Sequence, residues 1–117
     1  MSQIFFISKK DGSFRLVQDY RVLNKYTILN RYPLPNLKDL TCRLANARLF
    51  TALDLRAGYN NIRIKEGDQW KAAFKTPATQ TRPPGHWEPN VMPFGLSNAL
   101  ATFQEFINEV LKDLIAT

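Results

Sequence analysis

An aspartate closing an apolar run is the sharpest chemical feature of the sequence. Phe50-Thr51-Ala52-Leu53 leads into Asp54, and a carboxylate at the end of a buried strand is costly unless a cation or a hydrogen-bond donor meets it. Mg²⁺ suits such a group, because it takes oxygen ligands and binds through one or two carboxylates completed by phosphate oxygens. Two ions held together carry out phosphoryl transfer, one activating the attacking oxygen and the other stabilising the leaving group. That chemistry needs several converging carboxylates. Taken alone, Asp54 reads more simply as a strand-end cap.

A second group is cationic. Lys9, Lys10 and Arg15 surround Asp11-Gly12-Ser13, and a mobile basic flap of this kind can close over a triphosphate and neutralise charge developing on it. The plainer reading is a solvated hairpin tip. Downstream of the acid, Ala57-Gly58 precedes Tyr59. A glycine without a side chain lets a ligand approach the backbone closely, and a stiff aromatic ring beside it presents a bulky wall. Tyr59 as an ordinary core tyrosine is the competing assignment.

These residues need elements to hold them. Ile4 to Ile7 and Phe14 to Asp19 read as strands joined by the Asp-Gly turn. Tyr20 to Pro35 lacks periodicity and reads as an extended connection. Asn36 is placed to cap a helix carrying Leu37, Leu40, Cys42 and Leu44. Residues 48–54 form a short β-prone run ending in the acid. Asn61 to Lys65 alternates apolar and polar, Gly67-Asp68 turns, and Trp70 to Thr76 is the expected return strand. Segment 77–90 is loop-like, and Val91 to Phe94 is a short strand. Ser97 or Asn98 then caps a last helix whose Ala99, Phe103, Phe106, Ile107, Val110, Leu111 and Leu114 share one face, expected to be core. Intermixed strands and helices with at least two hairpins give an α+β expectation.

Composition bounds the rest. A chain of 117 residues is one domain, spanning 1–117. Its apolar content of 44% and aromatic content of 12% are globular rather than disordered. The N-terminus shows neither a basic n-region nor a small-residue cleavage site, and no apolar run is long enough to span a membrane, so an intracellular protein without signal peptide or membrane segment is expected. The lone Cys42 cannot pair within the chain and is expected in or near the core. His86 reads as a loop residue without a metal role. The net charge of +6 divides into +9 over residues 1–82 and −3 over residues 83–117, and a basic first part suits a polyanionic partner.

Three blocks carry a resemblance: Lys9-Lys10-Asp11-Gly12-Ser13-Phe14-Arg15-Leu16, Leu53-Asp54-Leu55-Arg56-Ala57-Gly58-Tyr59, and Val91-Met92-Pro93-Phe94-Gly95-Leu96-Ser97-Asn98-Ala99. In order and spacing they resemble the reverse transcriptases of Ty3/gypsy-type long-terminal-repeat retrotransposons. The likeness runs from about Ile4 to Ile115. It implies the fingers and first half of the palm of a right-hand polymerase that extends a primer on an RNA or DNA template. By resemblance, Asp54 is the first catalytic, metal-binding aspartate and Leu55 lends a backbone carbonyl to the same Mg²⁺. Lys9 and Arg15 grip the β- and γ-phosphates of a deoxynucleoside triphosphate, Ala57 and Gly58 let it approach, Tyr59 excludes a 2′-hydroxyl, and Phe94-Gly95 forms an apolar floor. Arg21 and Asn24 match a stretch near the template strand, as template contacts or as structural hydrogen-bonding residues.

Three departures accompany the likeness. The sequence stops before the family's Asp-Asp strand, so two of three catalytic aspartates are not in it. Residues 78–84 read as an insertion at a hairpin tip that threatens the flanking pairing, with Pro89 where the family has an aromatic. Leu100 stands where the family has a proline. The expectation is therefore a polymerase fragment, inactive alone, whose partners are primer–template, nucleotide and the missing palm, thumb and RNase H portions. The alternative is a non-catalytic relic that binds nucleic acid or associates with itself.

Overall fold

The first hairpin forms where the Asp-Gly turn predicts it. In the computed structural model, which describes residues 1–115, β1 (Ser2–Ser8) pairs antiparallel with β2 (Phe14–Gln18), Ile4 opposite Gln18 and Ser8 opposite Phe14. Asp11 closes the turn: its Oδ1 accepts from the Ser13 amide at 2.9 Å and the Ser13 hydroxyl at 2.6 Å. Those two bonds hold the Asp11 carboxyl below its usual range. Gly12 supplies the positive φ of 82°.

Four strands among the described residues make one sheet in the order β2-β1-β3-β4. β3 (Phe74–Thr76) lies parallel to β1, and β4 (Gly85–Trp87) antiparallel to β3. The pairing flanking residues 78–84 is intact. Thr76 Oγ1 accepts from the Gly85 amide and from Trp87 Nε1, both at 3.2 Å, and Thr79 and Arg82 close the tip. His86 therefore sits on a strand rather than in a loop.

Several expected elements change. Tyr20 to Pro35 is not extended throughout, because α1 (Arg21–Tyr26) occupies its start. Asp19 explains it: its Oδ1 accepts from the Arg21 amide at 3.1 Å, nucleating the turn from two residues upstream. Residues 48–54 form no strand, and Leu49, Phe50 and Leu53 are exposed; nothing described lies alongside to complete a ladder, and a β-prone run without cross-strand partners gains nothing by extending. The Asn61–Lys65 and Trp70–Thr76 hairpin is also replaced. Residues 62–64 meet 90–92 through one bridge, Arg63 opposite Val91, and Gln69–Ala72 winds into a tight helical turn. Val91 to Phe94 contributes only that bridge.

Of the helices, α2 (Leu37–Leu44) starts as expected, with Asn36 Oδ1 accepting from the Lys38 amide at 3.0 Å. Cys42 on it is exposed, not core, because no described element packs over that helix closely enough to bury any of its residues. α3 (Ala99–Val110) is followed by α4 (Lys112–Ile115). Its apolar stripe is only partly covered. Ala99 is buried and Phe103 and Ile107 half-buried, whereas Phe106, Val110, Leu111 and Leu114 are exposed.

The core sits where the sheet, α1 and the start of α3 meet, at Tyr20, Ala72, Met92 and Ala99. Tyr20 is 1% exposed and donates its hydroxyl to the Ala72 carbonyl at 2.9 Å. The accessible surface of 10330 Å² exceeds the roughly 6,500 Å² of a compact monomer of this mass. Extents of 57 × 35 × 22 Å agree with that open shape.

Burial pushes the Tyr20 phenol up to about 12 from an ordinary 10.0. A raised folded-state pKa means that its contribution to stability is complete below pH 10 and is lost as pH climbs towards 12. Urea midpoints measured from pH 9 upward should therefore fall across that window, and in Tyr20→Phe the fall should flatten.

Candidate nucleotide site

The hairpin places its cations on one side. Arg15 lies directly across from Ile7, and the Lys9 amide donates to the Ser13 carbonyl at 2.7 Å. Lys9 and Arg15 are thus diagonal neighbours on the same face, both exposed. They line a cleft of about 640 Å³ whose opposite wall includes Asn60, Pro93 and Phe94. A shallower hollow of about 550 Å³ beside it is bounded by Lys9, Lys10, Arg15 and Val17.

Tyr59 stands behind that wall. Its ring packs on Phe94 with centroids 5.1 Å apart and meets Phe103 of α3 edge-on at 5.4 Å. The turn that carries it, Gly58–Asn61, begins after Ala57, whose φ of 52° is left-handed. A non-glycine residue persists there only when its surroundings hold it. Asn61 does so: its Nδ2 donates to the carbonyls of Arg56, Ala57 and Gly58 at 3.2–3.3 Å. Gly58 packs tightly under α3, where a Cβ would lie 3.2 Å from the Phe103 ring and that ring would have to shift. Gly95, at φ +99°, is held equally closely, with a Cβ position 3.1 Å from the Gln18 carbonyl.

Asn24 and Arg21 have partners within the chain. Asn24 Nδ2 donates to the Gly95 carbonyl at 2.8 Å, and its Oδ1 accepts from the Ser97 amide at 2.9 Å. Arg21 grips Asp19 through Nε at 2.9 Å and Nη2 at 2.7 Å. That grip, with the Arg21 amide, lowers the Asp19 carboxyl to about 2.

Asp54 stands apart. It does not end a strand, because residues 50–55 pair with nothing, and its exposed side chain has no hydrogen-bond or ion-pair partner among the described residues. Neither Asp54 nor Leu55 lines the cleft. No group of three or more His, Cys, Asp or Glu side chains converges among the described residues. One carboxylate and a carbonyl do not make the donor set a divalent ion requires, so the residues present do not form a metal centre by themselves.

Sequence reasoning missed Asn61, and it placed Phe103 on the core-facing side of the last helix without linking it to Tyr59. Both act through contacts with distant or backbone atoms, and only the Asn-Asn pair after Tyr59 hinted at a turn.

Residues 7–117 match the family model described as reverse transcriptase (RNA-dependent DNA polymerase). The chain is 44% identical over 108 residues to the Transposon Tf2-3 polyprotein of Schizosaccharomyces pombe, covering 92% of this chain and 8% of the relative. To the Transposon Tf2-7 polyprotein of the same organism it is 42% identical over 111 residues, covering 95% of this chain and 8% of the relative. It thus spans about 8% of the length of these relatives. The chain belongs to the reverse transcriptase (RNA-dependent DNA polymerase) family.

Proposed function

We propose that this chain is the fingers and first half of the palm of a retrotransposon reverse transcriptase, and that its cleft receives the incoming deoxynucleoside triphosphate. One observation carries the reading: Lys9, Arg15 and Phe94, from blocks far apart in sequence, line one cleft, with Tyr59 packed against Phe94. In this reading the two cations bind the β- and γ-phosphates, charge-assisted and salt-sensitive. The Phe94 ring gives the sugar and base an apolar wall, and Tyr59 behind it limits room for a 2′-hydroxyl. In this reading Arg21, exposed at the start of α1, is left to meet the template, and Asn24 takes the structural hydrogen-bonding alternative.

Family membership implies a divalent metal and a nucleic-acid template. Asp54 and Leu55 would offer oxygen ligands to such an ion only together with further carboxylates, and the ion would supply charge neutralisation at the phosphates. Among the described residues no helix is long and apolar enough to cross a membrane.

The test is equilibrium binding of a deoxynucleoside triphosphate with Mg²⁺. Weak binding is expected from the unaltered chain, and Lys9→Ala or Arg15→Ala should each weaken it about tenfold or more, since a charge-assisted bond contributes about 1.5–3 kcal/mol. Unchanged affinity in both variants would remove the phosphate role. A second reading, a self-associating module, is favoured by the exposed Leu49, Phe50 and Leu53 beside α2. Concentration-dependent sedimentation without nucleotide or primer–template binding would select it.

A further inference from the structure

We propose that Asn24 is a positioning residue for the nucleotide cleft: its amide clamps the Phe94-Gly95 turn and so fixes the aromatic wall. The inference rests on the nucleotide reading of that cleft, and it assigns Asn24 to the shape of the site rather than to template contact.

The geometry is specific. Gly95 adopts φ +99°, a conformation that a glycine enters and leaves at little steric cost. Something outside the turn must therefore select it. Asn24 spans two residues of the turn, donating Nδ2 to the Gly95 carbonyl at 2.8 Å and accepting the Ser97 amide on Oδ1 at 2.9 Å. An amide is suited to this, because it offers one donor and one acceptor from a single planar group. The other side of Gly95 is braced by the Gln18 carbonyl and the Tyr20 ring, which a Cβ there would meet at 3.1 and 3.5 Å. Tyr20 is itself anchored to the Ala72 carbonyl, so α1 holds the turn from a buried base. Phe94 directly precedes the clamped residue, lines the cleft with Lys9 and Arg15, and packs on Tyr59 at 5.1 Å. Freeing the turn lets that ring swing out of the wall. Asn24 is half-buried, with a bond from each end of its amide already committed to backbone, which leaves little of it to offer a passing strand.

The experiment compares Asn24→Leu, which removes both bonds at similar volume, with Asn24→Asp, which keeps an acceptor for the Ser97 amide and loses the donor to Gly95. Four quantities are read on the full 117-residue chain: Ser97 amide exchange, the Tyr59–Phe94 inter-ring nuclear Overhauser effect, dTTP–Mg²⁺ affinity, and primer–template affinity across a salt series. In Asn24→Leu, Ser97 exchange should accelerate and the inter-ring signal should weaken. Its dTTP affinity should drop about tenfold, with primer–template affinity and salt slope unchanged. Asn24→Asp should retain Ser97 protection while losing the hold on Gly95, a split that a general loss of fold would not produce. An unaltered inter-ring signal in Asn24→Leu, or a parallel loss of primer–template affinity, overturns the proposal. If the unaltered chain binds no dTTP, the nucleotide reading falls, and Ser97 exchange with the ring signal still decides whether Asn24 holds the turn.

Discussion

No labelled deoxynucleotide should join a primer above background when this 117-residue chain is incubated with primed template and Mg²⁺. Two-metal transfer requires ions that grip both the attacking and the leaving oxygen, and each ion needs several oxygen donors. Among the described residues Asp54 is exposed and unpartnered, and no cluster of three ligating side chains exists to help it. The shortfall in rate should be several orders of magnitude, comparable to removing metal-ion catalysis outright. Binding should survive where chemistry does not. Primer–template affinity, carried by the basic first part of the chain, should decline as salt rises, because counterion release supplies most of it. Robust extension that Asp54→Asn abolishes would overturn this expectation and would point to acids such as Glu105 or Asp113, or to a second copy, completing the site.

The second large effect concerns Gly95. Gly95→Ala should destabilise the fold by about 2–5 kcal/mol. Left-handed backbone costs an alanine roughly 1–2 kcal/mol, and the new Cβ would press within 3.1 Å of the Gln18 carbonyl, adding the cost of overpacking, typically about 1–3 kcal/mol. Gly12 is the natural control. Its φ of +82° is similar, but no atom lies within 4 Å of its Cβ position. Gly12→Ala should therefore show the strain alone, about 1–2 kcal/mol. Urea midpoints of the two variants separate strain from clash by subtraction. Equal midpoints would show that the backbone at Gln18 yields freely and that the turn is not wedged.

How legible all this was in the sequence depended on how local each cause was. The first hairpin and the start of α2 were readable because Asp11-Gly12 and Asn36 act on their own neighbours. α1 was missed because its capping group, Asp19, lies two residues before the first helical residue and looks like the end of a strand. The run before Asp54 was misread because extension there depends on a partner strand, which no local pattern encodes. Among the site residues, the spacing of Lys9 and Arg15 around a turn was enough to put them on one face. That Phe94 would form the wall opposite them came from the resemblance, not from its neighbours. The clamp from Asn24 joins residues 71 and 73 positions apart, a separation at which single-residue patterns carry no signal.

The seam between the α1 region and α3 has one more property, which follows from its makeup. Asn24 meets Gly95 and Ser97, Asn98 meets Ile28 and Asn30, and Asn108 meets the Tyr32 hydroxyl, all through uncharged groups at 2.8–2.9 Å. The carboxylate bordering it, Glu105, stands 3.4 Å from Asn30. Amides neither titrate near neutral pH nor shed counterions. Ionic strength therefore acts first on the cationic hairpin, while the uncharged bonds of this joint offer it no charge to screen. A salt series should weaken phosphate binding through screening of the hairpin cations, with these neutral bonds adding no salt dependence of their own.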